Sequence, residues 1–343
     1  MRYTEDSMTV QPIDNATGYD LTVVTVCRNA KSVLPRCIAS VQPLYRGTLK
    51  VEHLLVDGAS TDGTREYLQE QLENGRITRL VSEPDKGLYD AMNKAITLAA
   101  GKVIVFINAD DEIVPSGVEA CCKPILEGEA DYVASTAAAV RADGKVKSLQ
   151  KPGMDMALLM SVCCHQSYYC STEVLRREGG FHWDKFRILA DAELMGRLSQ
   201  KGYLWKAVPE VSSRFYEGGV SGSARVAEEN LLLLEHFREE ICARAARDAA
   251  YGIRALLQVR KYLARHARFR RDAMVTPEAL ALVNPLVCSL LPLLPPEKLA
   301  KLRAKCRNKA AWYGALGLLP GRAKARAKAR SFRALLSLIS SPR

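Results

Sequence analysis

The stretch VIVFINADDEIVP, at residues 103–115, joins an apolar run to two adjacent acidic side chains. VIVFI is apolar enough to form a buried strand, and the carboxylates of Asp110 and Asp111 follow it closely. Burying an unpaired carboxylate costs several kcal/mol, which is a sizeable part of a domain's stability. We therefore expect a partner group to meet the two carboxylates where this strand ends.

Strand-like runs alternate with helical patterns on the N-terminal side of this stretch. The runs are LTVVTV (21–26), VEHLLVD (51–57), ITRLVSE (77–83) and KVIVFIN (102–108), and the helical patterns lie near 32–42, 64–73 and 88–99. Such alternation implies right-handed crossover connections between parallel strands. The sequence therefore predicts an α/β fold, with a mainly parallel sheet flanked by helices.

Polar residues follow the ends of these four strands. In strand order they are Arg28 and Asn29, Asp57, residues 83–86, and Asp110 and Asp111. In an open parallel sheet the carboxyl ends of the strands share one edge, and ligands bind outside that edge. Alternatively, these residues are ordinary polar loop residues that cap helices. Their occurrence after four successive strands favours a binding site.

The amino-acid composition limits the classes to which the protein could belong. The chain has 343 residues, 48% of them hydrophobic, and a formal net charge of +11, so it can bury a large core and favours acidic partners. Its ten cysteines include no C-x-x-C pair, which indicates reduced thiols in a cytosolic protein. Residues 1–20 lack the apolar core of a signal peptide and are predicted to form a flexible leader. Prolines interrupt the apolar stretch 280–294, so no transmembrane segment is predicted.

The remainder of the chain is less regular. Residues 131–217 contain possible strands at 131–136 and near 206–211, and a helix around 190–201. From residue 225 the pattern is helical and becomes strongly basic. We therefore predict a helical, basic C-terminal extension over residues 225–343.

The turn after the first strand excludes two common ways of holding phosphate. It reads VCRNAKS and contains no glycine, so neither a dinucleotide fingerprint nor a Walker loop is present there. This disfavours a dehydrogenase or an ATPase. A diphosphate can instead be held by a divalent cation on carboxylates, and Asp110 and Asp111 supply the hard oxygen ligands that Mg²⁺ or Mn²⁺ prefers.

Five motifs, taken together, resemble one known family. TVCRNA, LLVDGASTDGT, SEPDKGLYDAMNKAI, GKVIVFINADD and ILADAELMGRL resemble the family 2 glycosyltransferases of the GT-A fold, especially bacterial surface-polysaccharide enzymes. The resemblance covers roughly residues 21–216, in order and with compatible spacing. It implies a GT-A domain at 21–224, with a nucleotide-binding half at 21–115 and an acceptor half at 116–224.

The resemblance also implies roles for individual residues. The residues similar to the family's nucleotide-binding positions are Thr25, Arg28, Asn29, Asp57 (base), Lys86 and Asp110 (ribose). Asp111 resembles the ligand of the Mn²⁺ or Mg²⁺ ion. Two alternatives stay open from the residues alone: Lys86 could be a solvated turn lysine, and Asp57 could cap a helix or form an Asx-turn.

Asp191, in ADAELMGRL, stands where the family has its general base. On a helix it would share the inward face of Leu194 and Leu198, while Glu193 and Arg197 would pair on a solvent-facing side. The resemblance implies a single displacement with inversion, in which Asp191 takes the proton of the acceptor hydroxyl. The alternative is a carboxylate that only complements the helix dipole.

Further positions are similar to the family pattern or depart from it. His165 and Gln166 resemble a segment that lines the acceptor or the diphosphate, although such a histidine could equally be a core residue. Trp183 and Phe181 could stack on a sugar or belong to the core. Gly58 stands where many relatives have a second acid, and no Q-x-x-R-W motif occurs, which favours transfer of one sugar over processive synthesis.

The C-terminal segment mixes basic and apolar residues. The basic ones are Arg322, Lys324, Arg326, Lys328, Arg330 and Arg333, and the apolar ones are Phe332, Leu335, Leu336, Leu338 and Ile339. A basic apolar helix of this kind can lie on an anionic membrane, which suits a lipid-linked acceptor. A solvated face or an RNA-binding arm has the same composition. We favour the membrane and expect no nucleic-acid partner.

Together these features predict a cytoplasmic inverting glycosyltransferase at the inner face of the plasma membrane. It would use a nucleoside-diphosphate sugar, with UDP-sugars as first candidates, and a glycan or lipid-linked acceptor. One alternative is a sugar-phosphate nucleotidyltransferase, which would be expected to carry a glycine-rich basic loop after its first strand. Another is a catalytically silent module that binds membrane or RNA.

Overall fold

The structure is a computed structural model that describes residues 18–141, 143–153, 164–216, 224–268, 275–317 and 323–340. Most of the predicted leader, together with Arg322 of the basic tail, lies outside the described residues. The chain divides into two compact units. We call residues 1–155, 162–194 and 201–219 the sheet unit, and residues 156–161, 195–200 and 220–343 the helical unit.

The first half of the sheet unit is the predicted alternation of strands and helices. Its elements are β1 (Leu21–Cys27), α1 (Leu34–Val41), β2 (Val51–Asp57), α2 (Thr64–Glu73), β3 (Arg79–Ser82), α3 (Leu88–Leu98) and β4 (Val103–Phe106). The strands are parallel in the order β3-β2-β1-β4, with Leu21 opposite both Val51 and Val103. Every residue of β1 and β4 is buried, as expected for parallel strands covered on both faces.

The second half of the sheet unit continues the same sheet. Its elements are β5 (Glu112–Ile113), α4 (Pro115–Leu126), β6 (Tyr132–Val140), β7 (Val146–Gln150), β8 (Tyr168–Ser171), α5 (Thr172–Arg177), the first part of α6 (Ala190–Gln200) and β9 (Trp205–Tyr216), while residues 195–200 of α6 belong to the helical unit. The order continues from β4 as β8-β6-β9-β5, and β7 pairs with β6. β8 is antiparallel to both β4 and β6, whereas β9 is parallel to β6. The predicted mainly parallel sheet flanked by helices is therefore confirmed.

The core beneath β1 and β4 includes several buried thiols. Cys121 and Cys122 of α4 and Cys37 of α1 pack with Val23 and Val105. Burial raises the pKa of the Cys37 and Cys121 thiols to about 12, because a thiolate would lose its hydration there. The nine cysteines among the described residues are all free. Those in this core act as small apolar side chains.

The helical unit contains six further helices. They are α7 (Ala224–His236), α8 (Arg238–Arg247), α9 (Ala249–Arg268), α10 (Pro277–Leu290), α11 (Pro296–Gly317) and α12 (Ala323–Ser340). α12 packs against α9 and α11. Among the residues that the structure describes, no helix is both long and apolar enough to cross a bilayer.

The packing of α12 corrects the expectation for the basic tail. Phe332, Leu335 and Ile339 were expected to face a membrane, but all three are buried within the helical unit. Leu336 and Leu338 are half-buried. The apolar face of this helix is therefore used for packing against neighbouring helices, and it is not presented to a bilayer.

Candidate active site at the carboxyl ends of the strands

The two carboxylates that follow β4 have opposite environments. Asp110 is exposed, and its backbone carbonyl accepts a hydrogen bond from the guanidinium of Arg36. Asp111 is buried, with 3% of its surface exposed. The backbone N–H of Asp111 donates to the carbonyl of Asn108 at 3.0 Å, which closes a tight turn. This turn carries one acidic side chain outward and the other inward.

The Asp111 carboxylate accepts hydrogen bonds on both oxygens. Oδ1 accepts from the backbone N–H of Tyr216 at 2.9 Å, and Oδ2 accepts from the side-chain amides of Gln166 and, at 3.3 Å, Asn108. Burial raises the pKa of Asp111 to about 6, and the bonds from Tyr216 and Gln166 partly oppose this effect. The groups that meet the buried carboxylate are thus neutral amides, which leave its charge uncompensated.

The carboxylate oxygens at this turn are ligands of the kind that a divalent cation prefers. No group of three or more His, Cys, Asp or Glu in the described part of the chain could hold a metal ion by itself. Mg²⁺, however, is commonly held by one or two carboxylates plus substrate phosphates. A carboxylate has about four acceptor positions, and the described bonds to Asp111 use three of them. The metal role of Asp111 therefore stays a prediction that the geometry permits.

His165 links the candidate base to this turn. Its Nε2 lies 3.1 Å from Oδ1 of Asn108, and its Nδ1 lies 3.4 Å from Oδ2 of Asp191. Asn108 directs its Nδ2 toward the Asp111 carboxylate, so its Oδ1 is the atom left to accept a hydrogen bond from His165. Four side chains thereby form a continuous chain, Asp191–His165–Asn108–Asp111. We call these four residues the acid–histidine chain.

Asp191 lies in the first turn of α6, and 13% of its side chain is exposed. Its Oδ1 accepts from the backbone N–H of Ala192 at 2.8 Å, which leaves Oδ2 beside His165. The carboxylate is thus held in place while part of it remains accessible. This placement agrees with the predicted base, whose role nevertheless stays a prediction.

The prediction that Glu193 and Arg197 lie on a solvent-facing side of α6 is wrong. Glu193 is fully buried, and its Oε1 lies 3.1 Å from Nδ1 of His182. Arg197 is also buried. The prediction assumed that α6 has one apolar face, whereas residues 192–198 are all buried. A helix covered on all sides carries its polar residues inside as paired groups.

The turns after β1, β2 and β3 are tied together by Asn29 and Asp57. Asn29 has a positive φ of 51°, its N–H donates to Ser60 Oγ at 2.7 Å, and its Oδ1 accepts from the N–H of Thr61 at 2.9 Å. Asp57 is fully buried and accepts from the N–H of Ser60 at 3.1 Å and from Ser82 Oγ at 2.7 Å. These bonds favour an Asx-turn for Asp57 over the predicted direct contact with a base, because its carboxylate is buried and already accepts hydrogen bonds on both oxygens.

Thr25 is not placed as expected. It is fully buried, and its hydroxyl lies 3.1 Å from Nε2 of His53 and 3.6 Å from Sγ of Cys37. A nucleotide would have no access to this side chain. Thr25 lies inside β1, two residues before the strand ends, whereas Arg28 beyond the strand is exposed. We therefore remove Thr25 from the candidate nucleotide contacts.

Lys86 belongs to a cationic group around Trp183. The Lys86 ammonium lies 5.8 Å from the centroid of the half-buried Trp183 ring, and the Arg187 guanidinium lies 4.8 Å from it. Arg187 also donates to the backbone carbonyl of Lys86 at 3.3 Å. Phe181 is instead a core residue, packed on Tyr89 and Phe106. Two cations beside a half-buried aromatic ring can bind an anionic, ring-bearing ligand.

The sequence did not reveal several residues of the site. Arg187 was missed, although it stands four positions after Trp183 and four before Asp191. Asn108 and Tyr216 were missed because their parts depend on contacts with residues 57 and 105 positions away in the chain. Arg36 was also missed; its guanidinium lies 3.7 Å above the Tyr216 ring.

Comparison with solved structures shows the same fold at low sequence identity. The structure of S. aureus TarS residues 1–349 in complex with UDP-GlcNAc matches with a TM-score of 0.55 and 15% identity, over 93% of this chain and 90% of that one. A mannosyltransferase from Pyrobaculum calidifontis, in complex with GDP-Man and Mn²⁺, matches with a TM-score of 0.50 and 19% identity, over 96% and 89% of the two chains. The predicted GT-A-like fold is thereby confirmed.

Comparison at the sequence level shows the family. "Uncharacterized glycosyltransferase Rv1514c" of Mycobacterium tuberculosis (strain ATCC 25618 / H37Rv) is 30% identical over 196 residues, which are 52% of this chain and 68% of that protein. The family model described as glycosyl transferase family 2 matches residues 22–179, a range that runs from within β1 to beyond β8 and contains the turn of Asp110 and Asp111. The chain belongs to glycosyl transferase family 2 and is a glycosyltransferase.

Proposed function

We propose that this glycosyltransferase moves one sugar, with inversion, from a nucleoside-diphosphate sugar to a hydroxyl group of a glycan or lipid-linked acceptor. UDP-sugars are the first candidates as donors, and Mn²⁺ or Mg²⁺ is the proposed cofactor. The residues 21–224 would form the transferase domain and 225–343 a basic helical extension. Family membership supports the reaction, and the UDP-GlcNAc and GDP-Man complexes of the two structural neighbours support the donor class.

One observation carries the proposal: the acid–histidine chain connects Asp191 to Asp111. It links a partly exposed carboxylate to a buried one through His165 and Asn108, at 3.4, 3.1 and 3.3 Å. Glycosyl transfer needs a base beside the acceptor and an electropositive site beside the departing diphosphate. Hydrogen bonds join Asp111, Asn108 and His165, and the approach of the His165 ring to Asp191 completes the connection, so the position of each carboxylate is fixed with respect to the other.

Asp111, with Asp110 beside it, would hold the divalent cation. The cation would supply positive charge to the diphosphate and would offset the uncompensated charge of the Asp111 carboxylate. Lys86 and Arg187 would add positive charge on the nucleotide side. Arg28, Asn29 and Asp57 would shape the pocket for the nucleoside, with Asp57 acting through the turn that it holds.

Asp191 would act as the general base. Its Oδ2 would accept the proton of the acceptor hydroxyl while that oxygen bonds to the anomeric carbon and the bond to the diphosphate breaks. His165 contacts the same carboxylate and would hold its orientation. Gln166 would act through Asp111, because its amide donates to that carboxylate.

We further propose a cytoplasmic protein that works at the inner face of the plasma membrane, where a lipid-linked acceptor of a surface polysaccharide would be found. The net charge of +11 supports an anionic surface as partner. Family membership now disfavours a sugar-phosphate nucleotidyltransferase. Turnover of the sugar donor distinguishes the proposed enzyme from a catalytically silent module with the same fold.

Thermal unfolding with nucleotides tests the proposal. UDP, GDP, dTDP and CMP are each added with and without Mn²⁺, to the wild type and to Asp111→Asn. We expect one nucleotide to raise the melting temperature of the wild type only when Mn²⁺ is present, and to have little effect on the variant. Stabilisation that is equal without metal, or equal in Asp111→Asn, would contradict the metal assignment. If no sugar is released from any donor that carries the stabilising nucleotide, the proposed catalysis would be contradicted.

A further inference from the structure

The net positive charge of the protein is concentrated in three helices of the helical unit. Their sequences contain five Lys and Arg residues in α9, six in α11 and five in α12, and Glu297 is their one acidic residue. By contrast, α7 carries three glutamates and one arginine. Because α12 packs against both α9 and α11, these three helices form one strongly cationic part of the unit.

Some of these cations have partners inside the unit. Arg303 donates to the carbonyl of Ile339 at 2.9 and 2.6 Å, and Arg260 stacks 4.5 Å above the Phe332 ring. Lys328 lies 4.9 Å from the centroid of the Tyr313 ring. Such cations stabilise the packing of α9, α11 and α12 on one another. They do not account for the exposed lysines.

One face of α11 consists of exposed lysines that end at an exposed tryptophan. Lys298, Lys301, Lys305, Lys309 and Trp312 follow one another at intervals of three, four, four and three residues, so they share one side of the helix. All are exposed, and Trp312 has 55% of its surface accessible. The side of α11 that adjoins the lysines is buried, through Leu299, Leu302, Cys306 and Ala310. We call the five exposed residues the lysine–tryptophan stripe.

The composition of the stripe fits a bilayer surface. Lysines attract the anionic headgroups, at about 1 kcal/mol for each cation near the surface. Tryptophan prefers the membrane–water interface, because its ring is apolar and its N–H needs a polar partner. Lys309 lies 5.3 Å from the centroid of the Trp312 ring, which places a cation beside the aromatic group. A phosphate-binding surface for RNA could use the same lysines, so it is the exposed Trp312, with its preference for the bilayer interface, that favours a membrane.

We propose that the lysine–tryptophan stripe of α11 docks the protein on an anionic membrane leaflet. This inference deepens the proposed membrane association and moves it from the apolar residues of α12, which are buried, to the exposed face of α11. Docking would be electrostatic, with Trp312 inserted at the headgroup level, and it would be weakened by salt. Its role would be to bring a membrane-bound acceptor to the enzyme, while the reaction itself stays in the sheet unit.

Vesicle binding by the full chain tests the proposal. Co-sedimentation is measured with vesicles of phosphatidylglycerol mixed with phosphatidylcholine, and with phosphatidylcholine alone. The test variant combines Lys298→Gln, Lys301→Gln, Lys305→Gln and Lys309→Gln. The matched control combines Arg254→Gln, Lys261→Gln, Arg265→Gln and Arg268→Gln on the exposed side of α9, and so removes the same charge from the same unit. A separate Trp312→Phe variant is the control for measurements of tryptophan fluorescence.

We expect the wild type to bind only the anionic vesicles, the stripe variant to lose at least about tenfold in affinity, and the control to lose much less. We also expect a blue shift of tryptophan emission on binding that Trp312→Phe abolishes. Equal loss in the stripe and control variants, no vesicle binding by the wild type, or binding to an RNA oligonucleotide in place of vesicles would overturn the proposal. Sugar release from the donor without vesicles should be the same in all variants, so failure here is distinguishable from failure of the proposed reaction.

Discussion

The imidazole Nδ1 of His165 lies 3.4 Å from Oδ2 of Asp191, while its Nε2 lies 3.1 Å from the side-chain oxygen of Asn108. His165 is therefore fixed from two sides, and it fixes the candidate base in turn. The second such pair, His182 with Glu193, involves the fully buried acid two residues further along α6. The two pairs offer a direct comparison between the candidate base and a carboxylate that is fully buried.

Asp191→Asn should remove transfer while sparing donor binding. Asparagine keeps the shape of the side chain but cannot accept a proton, so kcat should fall by about a hundredfold to ten-thousandfold. Sugar transfer or sugar release gives the rate, and nucleotide-induced thermal stabilisation gives the binding. Transfer that persists at the wild-type rate would exclude Asp191 as the base.

His165→Ala should lower kcat through Asp191, so the two substitutions should not be additive. In a double-mutant cycle with Asp191→Asn we expect a coupling free energy of about 1 kcal/mol or more, because both changes disturb the same side-chain contact. His182→Ala is the matched control, since it removes the histidine that contacts Glu193, the other acidic residue in the first turn of α6. It should reduce stability but leave the rate of folded enzyme nearly unchanged. Additive losses for His165 and Asp191 would refute the positioning role.

Gly58→Ala should weaken nucleotide binding. A Cβ at this buried position would overlap the carboxylate of Asp85, whose other oxygen accepts from the N–H of Gly87 at 2.9 Å and so holds the turn that carries Lys86. Overpacking of this kind costs about 1–3 kcal/mol. Gly153→Ala is the control, because an added Cβ there meets nothing within 4 Å. Calorimetric titration with the stabilising nucleotide measures the effect, and equal affinities for both variants would show that this turn does not contribute.

His53 should make the folded protein less stable in mild acid. Burial lowers the pKa of its imidazole from 6.5 to about 3, because the charged ring would lose its hydration. Below pH 6.5 the unfolded chain binds a proton that the folded chain excludes. The contribution of His53 to the free energy of unfolding should therefore fall as the pH drops from 6.5 toward 3, by up to about 1.4 kcal/mol per pH unit. Asp111, whose pKa is raised to about 6, acts in the opposite direction below that pH, so the His53 effect is read from the difference between wild type and variant.

Urea unfolding between pH 7.5 and about pH 5 measures this slope. His53→Gln should flatten it, since glutamine does not titrate. His236→Gln is the control for the removal of a histidine, because His236 is exposed whereas His53 is fully buried. A slope that is the same in wild type and His53→Gln would show that other groups cause the acid sensitivity.

The sheet of the first hundred residues could be predicted because its signals are local. Each of the four parallel strands is an apolar run, and each is followed by residues that turn out to lie in or near the site, such as Asn29, Asp57 and Asp111. The helix of Asp191 was also predicted closely, at 190–201 against the observed Ala190–Gln200. These features depend on side-chain periodicity within one element.

Other features could not be predicted because they depend on partners far away in the sequence. The hydroxyl of Thr25 is taken up by His53, 28 positions later, and nothing in TVCRNA indicates this. Glu193 was placed in solvent because helical periodicity cannot show that His182 and the surroundings cover every side of α6. The buried face of α12 depends in the same way on packing against α9 and α11.

The position of β8 between β4 and β6 limits how this enzyme can be re-engineered. A fragment that ended at residue 115 would leave the edge of β4 unpaired, and β5, which directly follows Asp111, would lack its partner β9. Unpaired apolar edges promote aggregation. Chimeras that exchange whole donor and acceptor halves between relatives should therefore misfold, whereas grafts confined to the loops at the carboxyl edge should preserve the scaffold and transfer specificity.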